Sequence, residues 1–381
     1  MMKRTHTALI PLLSLALACV ADAASVPVPT APQFDARSFI LIDHHSGRVL
    51  AERKPDDRVE PASITKLMTA YVVFDALRAG KLKLDDAVTI SEHAWKAEGS
   101  RTFIDVGKQV PVEVLIQGMI VQSGNDATIA LAERVGGSEE TFASLMNEYV
   151  KQLGMTNSHF ENSTGLPSPT HYMTARDIAT LSSAIVREFP AYYRWYSQRE
   201  FTWNKIRQEN RNGLLGRDAS VDGMKTGYTE SAGYCLVTSA QRDGMRLVSV
   251  VLGTPSEKTR ENSSQALLNY GFSFFETRKL HDAGVSLQQV DVWKAAESPV
   301  DAGLRENLYI TVPRGETGGV KTVITVQPKL IAPMAATSAV GELRVQLGDE
   351  VIATRRLYLL KDVAEGGLWT RMVDSALLWF E

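Results

Sequence analysis

Short apolar runs at residues 39–43 and 48–52 flank His44-His45-Ser46-Gly47 and predict two strands joined by a turn. From Ala62 the period changes: Leu67, Met68, Tyr71, Val72 and Leu77 recur at the spacing of one buried helical face. Further helical patterns cover residues 112–121, 125–135, 139–153 and 175–187. Between the last two, residues 160–172 are rich in Ser, Thr, Pro and Gly and read as a long loop. From Asp222 the pattern returns to strands, with residues 234–240 and 246–252 flanking the hairpin signal Gln241-Arg242-Asp243-Gly244. A helix over residues 260–275 is expected to pack across that sheet. Strands, then helices, then strands and a last helix describe an α+β domain, an antiparallel sheet with a helical region beside it.

Beyond Glu276 the character shifts. Residues 308–312, 320–326, 343–347 and 351–359 alternate or run β-branched, with Gly- or Pro-rich turns between them, which predicts a separate small all-β domain. The expected organisation is a first domain over residues 34–277, a β-rich domain over 278–363, and a terminal amphipathic segment over 364–381. In that segment Leu368, Trp369, Met372, Val373, Ala376, Leu377, Trp379 and Phe380 share a wide apolar surface, opposed by Thr370, Arg371, Asp374 and Ser375. It is too short to span a bilayer and suits either the membrane interface or a docked position on the β-domain.

The other end reads as an export signal over residues 1–23. Lys3 and Arg4 precede a short apolar run over residues 8–20, and Ala21-Asp22-Ala23 offers a small-residue cleavage site. Residues 24–33, with Pro27, Pro29 and Pro32, form a linker. Of two cysteines, Cys19 leaves with the signal, so Cys235 has no partner for an internal disulfide and is expected to be buried and inert.

Composition narrows the function by exclusion. The 381 residues are 44% hydrophobic with a formal net charge of −3, and no basic stripe interleaves with aromatics, so nucleic acid is excluded as a partner. Neither His-Glu-x-x-His nor ligand spacing occurs among His44, His45, His159, His171 and His281, so no metal or other cofactor is expected. Gly-x-Ser-x-Gly elbows and phosphate-binding loops do not occur either.

Three short motifs remain. Ser63-Ile64-Thr65-Lys66 opens the first amphipathic helix, where serine and lysine one turn apart share a face. A serine hydroxyl is a weak nucleophile without an adjacent base, and a lysine serves once burial or a neighbouring cation lowers its pKa. Alone, the pair reads better as a capping serine and a solvated lysine. Ser123-Gly124-Asn125 is a polar connection between two helical runs. There a hydroxyl can relay protons, and an amide can hold both the lysine and a substrate carbonyl. Lys225-Thr226-Gly227 ends an expected edge strand and offers a charge, a hydroxyl and unobstructed backbone to a peptide laid alongside.

In this order and at these separations, the motifs resemble those of the penicillin-recognising serine enzymes. With Ser-Gly-Asn in the middle, two domains and an amphipathic tail, the chain resembles the low-molecular-mass D-alanyl-D-alanine carboxypeptidases. Thr164-Gly165-Leu166, Thr174-Ala175-Arg176-Asp177 and Asp222-Gly223-Met224 extend the likeness. The resemblance implies that Ser63 attacks the penultimate D-alanine carbonyl, Lys66 takes its proton, and Ser123 and Asn125 relay protons and fix the substrate amide. It also implies that Lys225 and Thr226, with Arg260, hold the terminal carboxylate, while backbone N–H groups of Ser63 and Tyr228 form an oxyanion hole. Tyr228 stands after Gly227 where the family often has histidine. The implied partners are cell-wall stem peptides ending in D-Ala-D-Ala, β-lactams and, through the tail, the periplasmic face of the cytoplasmic membrane. A β-lactamase, an endopeptidase of the same superfamily and a silent cell-wall-binding protein are the competing readings. Against the first, residues 161–170 offer no clear deacylating glutamate.

Overall fold

A computed structural model describes residues 27–379; the expected export signal lies outside them. The first domain is built on a five-stranded antiparallel sheet, in the order Val49–Arg53, Ser38–Asp43, Met245–Thr254, Gly233–Arg242, Val221–Thr229. The N-terminal hairpin therefore pairs with strands from the far end of the domain, with Ser38 opposite Leu252 and Asp43 opposite Leu247. Successive side chains of a strand point to opposite faces, and here both faces are covered. Ile40, Ile42, Val237, Val248 and Val250 join the core beneath the helical region, whereas Phe39, Leu41, Leu236, Leu247 and Val251 pack under the helix Glu257–Phe274. This double burial explains why the strands read as apolar runs rather than alternations.

The helical region follows the sequence pattern closely. Lys66–Arg78, Asn125–Gly136, Glu139–Gln152 and Ala175–Glu188 are α-helices, and the stretch 160–172 holds neither helix nor strand. Two departures matter for the site. The first helix is preceded by a tighter 3₁₀ turn, Ala62–Thr65, which carries Ser63. The helix expected over 112–121 is α only to Gln117 and then widens into a π turn, Gly118–Gln122, that delivers the chain to Ser123. Cys235 is fully buried opposite Gly227, and burial pushes its thiol up to about 11.

The second domain is all-β with its own core, including Val300, Ile310, Leu343 and Leu357. A pair of strands, Phe275–His281 and Leu308–Pro313, stands beside a five-stranded antiparallel sheet. That sheet runs Ser286–Val290, Val300–Gly303, Glu350–Leu359, Ala339–Leu347, Val320–Val326. Three of these strands, Phe275–His281, Ser286–Val290 and Val300–Gly303, lack a strong alternating pattern and were not expected from sequence. The turn His44 to Gly47 meets the second domain: His45 stacks on Tyr309 at 4.6 Å, and the Arg48 guanidinium donates to the Thr311 carbonyl at 2.6 Å.

The final helix, Leu368–Leu377, buries none of its side chains. Its polar side is tied down, by the Lys294 N–H to Asp374 at 2.5 Å and by Arg371 to Glu365 at 2.9 Å. Its apolar side is left outward, with Leu368 and Trp369 more than three-quarters exposed. Among the described residues no helix is long and apolar enough to cross a membrane.

Candidate active site

Lys66 is the first residue of its helix and only 1% exposed, an unusual burial for an ammonium. Its Nζ lies 3.1 Å from Ser63 Oγ, 2.6 Å from Asn125 Oδ1 and 2.7 Å from the Thr164 carbonyl. The amide orientation follows from its other end, since Asn125 Nδ2 donates to the Glu98 carbonyl at 2.6 Å. Two of the three partners of Lys66 can only accept. A neutral amine therefore spends its two N–H groups on them and turns its lone pair to the Ser63 hydroxyl. The neutral state is accessible: burial first, and then the positive charge of Arg211, push Lys66 down to about 7.

The other two motifs converge on the same place. Ser123 sits at the end of the π turn with φ 63 and ψ 31, a left-handed conformation that costs a non-glycine residue about 1 kcal/mol or more and is characteristic of functional sites. Its Oγ receives a hydrogen bond from Lys225 Nζ at 2.9 Å. Lys225 is 3% exposed, and burial together with the charges of Lys66, Arg211 and Arg260 holds its pKa well below the usual lysine range. Lys225 Nζ is thus directed at Ser123 and the Thr226 carbonyl rather than lining the open cleft. Gly227 also has a reason beyond clearance for a peptide. A Cβ there would stand 2.9 Å from the Pro61 carbonyl and 3.1 Å from Ile64, against the turn that carries the serine.

These residues surround a cleft of about 470 Å³, lined by Ser63, Ser123, Asn125, Thr226, Gly227 and Tyr228. Arg211, Arg260, Glu257 and Tyr234 line it as well. Of the predicted site residues, Lys66 and Lys225 lie immediately behind the lining and the other seven open onto it. Arg260 is 3% exposed, donates to Glu257 at 3.2 Å and to the Arg211 carbonyl at 3.4 Å, and lies over the Tyr234 ring. Tyr228 is half exposed and packs on Tyr234 with ring centroids 4.3 Å apart, so an aromatic pair forms the rim.

Sequence reasoning missed the supports. Asp126, fully buried, accepts from the N–H groups of Thr102 at 2.7 Å, Phe103 at 2.9 Å and Ile104 at 3.3 Å. The loop so held also supplies the Ser100 carbonyl to the Asn125 N–H at 2.6 Å. The segment 160–172 is stitched to the serine turn and to the first helix. Thr69 donates to the Ser163 carbonyl at 2.6 Å, and His171 Nε2 meets Thr65 Oγ1 at 2.8 Å. His171 Nδ1 accepts from the Glu161 N–H, so Nε2 carries the proton, and burial pushes the imidazole down to about 4. A carboxylate beside the Ser-Gly-Asn motif was the signal available for Asp126. Arg211 sits in a polar stretch with nothing to mark it.

Comparison with known proteins places this geometry. Residues 25–256 match the family of D-alanyl-D-alanine carboxypeptidases, and residues 275–365 match the C-terminal domain of penicillin-binding protein 5. The D-alanyl-D-alanine carboxypeptidase DacC of Escherichia coli (strain K12) is 45% identical over 358 residues, 92% of this chain and 90% of that protein. DacA of Haemophilus influenzae is 42% identical over 355 residues, 92% of this chain and 90% of that protein. Among solved structures, penicillin binding protein 5 from Haemophilus influenzae superposes with a TM-score of 0.84 at 43% identity, covering 88% of this chain and all of that one. With a fold, two domains and a sequence shared over nearly its whole length, the chain belongs to the D-alanyl-D-alanine carboxypeptidase family.

Proposed function

We propose that the chain is a serine-type carboxypeptidase that removes the terminal D-alanine from peptidoglycan peptides ending in D-Ala-D-Ala, through an acyl-enzyme on Ser63. The observation that carries this reading is the lone pair of a depressed lysine, Lys66, 3.1 Å from Ser63 Oγ in the wall of an open cleft. As Ser63 Oγ bonds to the penultimate D-alanine carbonyl carbon, its proton passes to Lys66 Nζ. The carbonyl oxygen becomes an anion facing the N–H groups of Ser63 and Tyr228, where fixed donors lower the barrier. Ser123, held by Lys225, passes a proton to the departing amine and takes its replacement from Lys66, so the lysine is neutral again once the C–N bond breaks and D-alanine leaves. Water, deprotonated by Lys66, then cleaves the ester and restores the Ser63 hydroxyl. Thr226, Arg211 and Arg260 would hold the terminal carboxylate, a reading supported by their positions in the cleft lining and by the contact that engages Lys225 with Ser123. A β-lactam presents a strained amide to the same serine and acylates it without a leaving group that departs.

We infer also that the chain is exported and rests on the periplasmic face of the cytoplasmic membrane through Leu368–Leu377. The signal pattern in residues 1–23 and the outward apolar side of that helix support this reading.

One experiment tests the activity. Incubation with a pentapeptide ending in D-Ala-D-Ala, followed by mass spectrometry, is expected to show loss of one alanine, and Ser63→Ala is expected to show none. An intact pentapeptide with the unaltered protein, or equal release by Ser63→Ala, refutes the reading.

A further inference from the structure

The two edges of the five-stranded sheet in the second domain are built differently. Ser286–Val290 is five residues long, and its register against Val300–Gly303 slips between Ser286 and Gln288. Short, irregular edges resist pairing with another chain. Val320–Val326 is seven residues long and keeps an unbroken register with Ala339–Leu347, from Val320 opposite Leu347 to Val326 opposite Gly341. Its sequence, Val-Lys-Thr-Val-Ile-Thr-Val, is β-branched at every position except Lys321 and contains no proline. Among the described residues its outer side pairs with no strand.

The charges around this edge suit a second copy of the same strand. Let two copies run antiparallel about a two-fold axis at Val323. All seven residues then pair: Val323 faces itself, Lys321 faces Thr325, Thr322 faces Ile324, and Val320 faces Val326. On the outer face Lys321, Val323 and Thr325 are backed by Gln346, Arg344 and Glu342 respectively. A row across the seam therefore reads Glu342, Thr325, then Lys321 and Gln346 of the second copy. The long lysine stem can carry its ammonium over one threonine toward Glu342, and symmetry repeats the pair. No like charges face directly, because two valines separate the arginines. On the inner face Val320, Ile324 and Val326 already pack against the core of the domain, so the seam would continue one core into the next.

We propose that Val320–Val326 is a homodimerisation edge that joins two copies of this chain into one continuous antiparallel sheet. The chemistry is strand addition: main-chain hydrogen bonds supply the affinity, and the Lys321–Glu342 pairing fixes direction and register.

Sedimentation equilibrium of the full chain, at protein concentrations on the order of 100 µM as suits a small interface, is expected to show a monomer–dimer equilibrium. Thr325→Lys places like charges opposite each other twice and is expected to weaken association roughly tenfold. Adding Lys321→Glu to it restores opposite charges and is expected to restore the dimer. Alanine release from the pentapeptide, unchanged in all three proteins, reports intact folding at these exposed positions. A monomer at every concentration overturns the proposal. So does a dimer indifferent to Thr325→Lys, which would run through another face such as the apolar side of Leu368–Leu377. Failure of the double variant to recover association overturns the assigned register and, with it, this interface.

Discussion

Asn125 holds Lys66, its Oδ1 2.6 Å from the lysine Nζ and its Nδ2 tied to the Glu98 carbonyl. Because the amide is fixed at both ends, the lysine cannot turn it into a donor. The direction of the lone pair on Nζ is thus set by the loop carrying Glu98, which lies between the lysine and the asparagine in the chain.

The pH dependence of acylation follows. Lys66 is held near pH 7 by burial and by the positive charge of Arg211. A protonated lysine cannot accept the serine proton, so acylation by a labelled penicillin is expected to rise with pH through that value and then level off. Arg211→Gln removes a like charge, favours the protonated lysine, and should move the midpoint to higher pH. Stopped acylation assays across pH measure this; a midpoint that moves down or stays fixed argues that Arg211 does not tune the base.

Asp126→Asn tests the support of the loop. The substitution leaves the size of the side chain but turns one acceptor toward N–H groups as a donor. A loss of about 1–3 kcal/mol of stability is expected, from buried donors left unmatched. Acylation should fall at least about tenfold, since a loosened loop no longer orients Asn125. Thermal melts and acylation rates, read together, distinguish this from a purely structural effect: stability lost with an unchanged rate would separate Asp126 from the chemistry.

Gly165→Ala should be more damaging. Gly165 has φ +84, where alanine costs about 1–2 kcal/mol, and a Cβ there would overlap the Ala62 carbonyl beside Ser63. Either the serine turn shifts or the Thr164 carbonyl withdraws from Lys66. Loss of most pentapeptide hydrolysis is expected. Full activity would show that the loop can move away without cost to the site.

At the far end, Trp369→Glu combined with Leu377→Glu should release the protein from vesicles of anionic phospholipid while penicillin acylation stays unchanged. Both side chains are more than half exposed on the helix that buries nothing. Cosedimentation measures the effect, and undiminished binding would move the membrane contact elsewhere.

Much of this was legible in sequence because local rules agree with the fold. Asp243-Gly244 has φ of 49 and 81, the positive values that a two-residue hairpin turn requires, and the strands fall on either side as expected. The three motifs that meet at the cleft could be picked out because each occupies a contiguous triplet or quartet. Their grouping came from resemblance, since no periodicity says that Ser123 and Lys225 stand 2.9 Å apart. What escaped detection was set by tertiary contact. Arg211 matters through its charge on two lysines distant in sequence, and the π turn before Ser123 looks like an ordinary amphipathic helix. The direction of Lys225, and the fit of Gly227 against the serine turn, depend on atoms brought in from elsewhere in the chain.

The sheet order has a consequence for the life history of the molecule. The strand Ser38–Asp43 lies between Val49–Arg53 and Met245–Thr254, so the first strand synthesised waits for nearly the last strand of its domain. The serine emerges early, and the strand bearing Lys225 emerges late. A partly synthesised chain therefore holds Ser63 without its cleft. The cleft is complete only when the two ends of the domain have closed on each other, and such distant pairing is slow. Covalent capture by a penicillin would accordingly report that assembly is finished, making the antibiotic a timer of folding as well as an inhibitor.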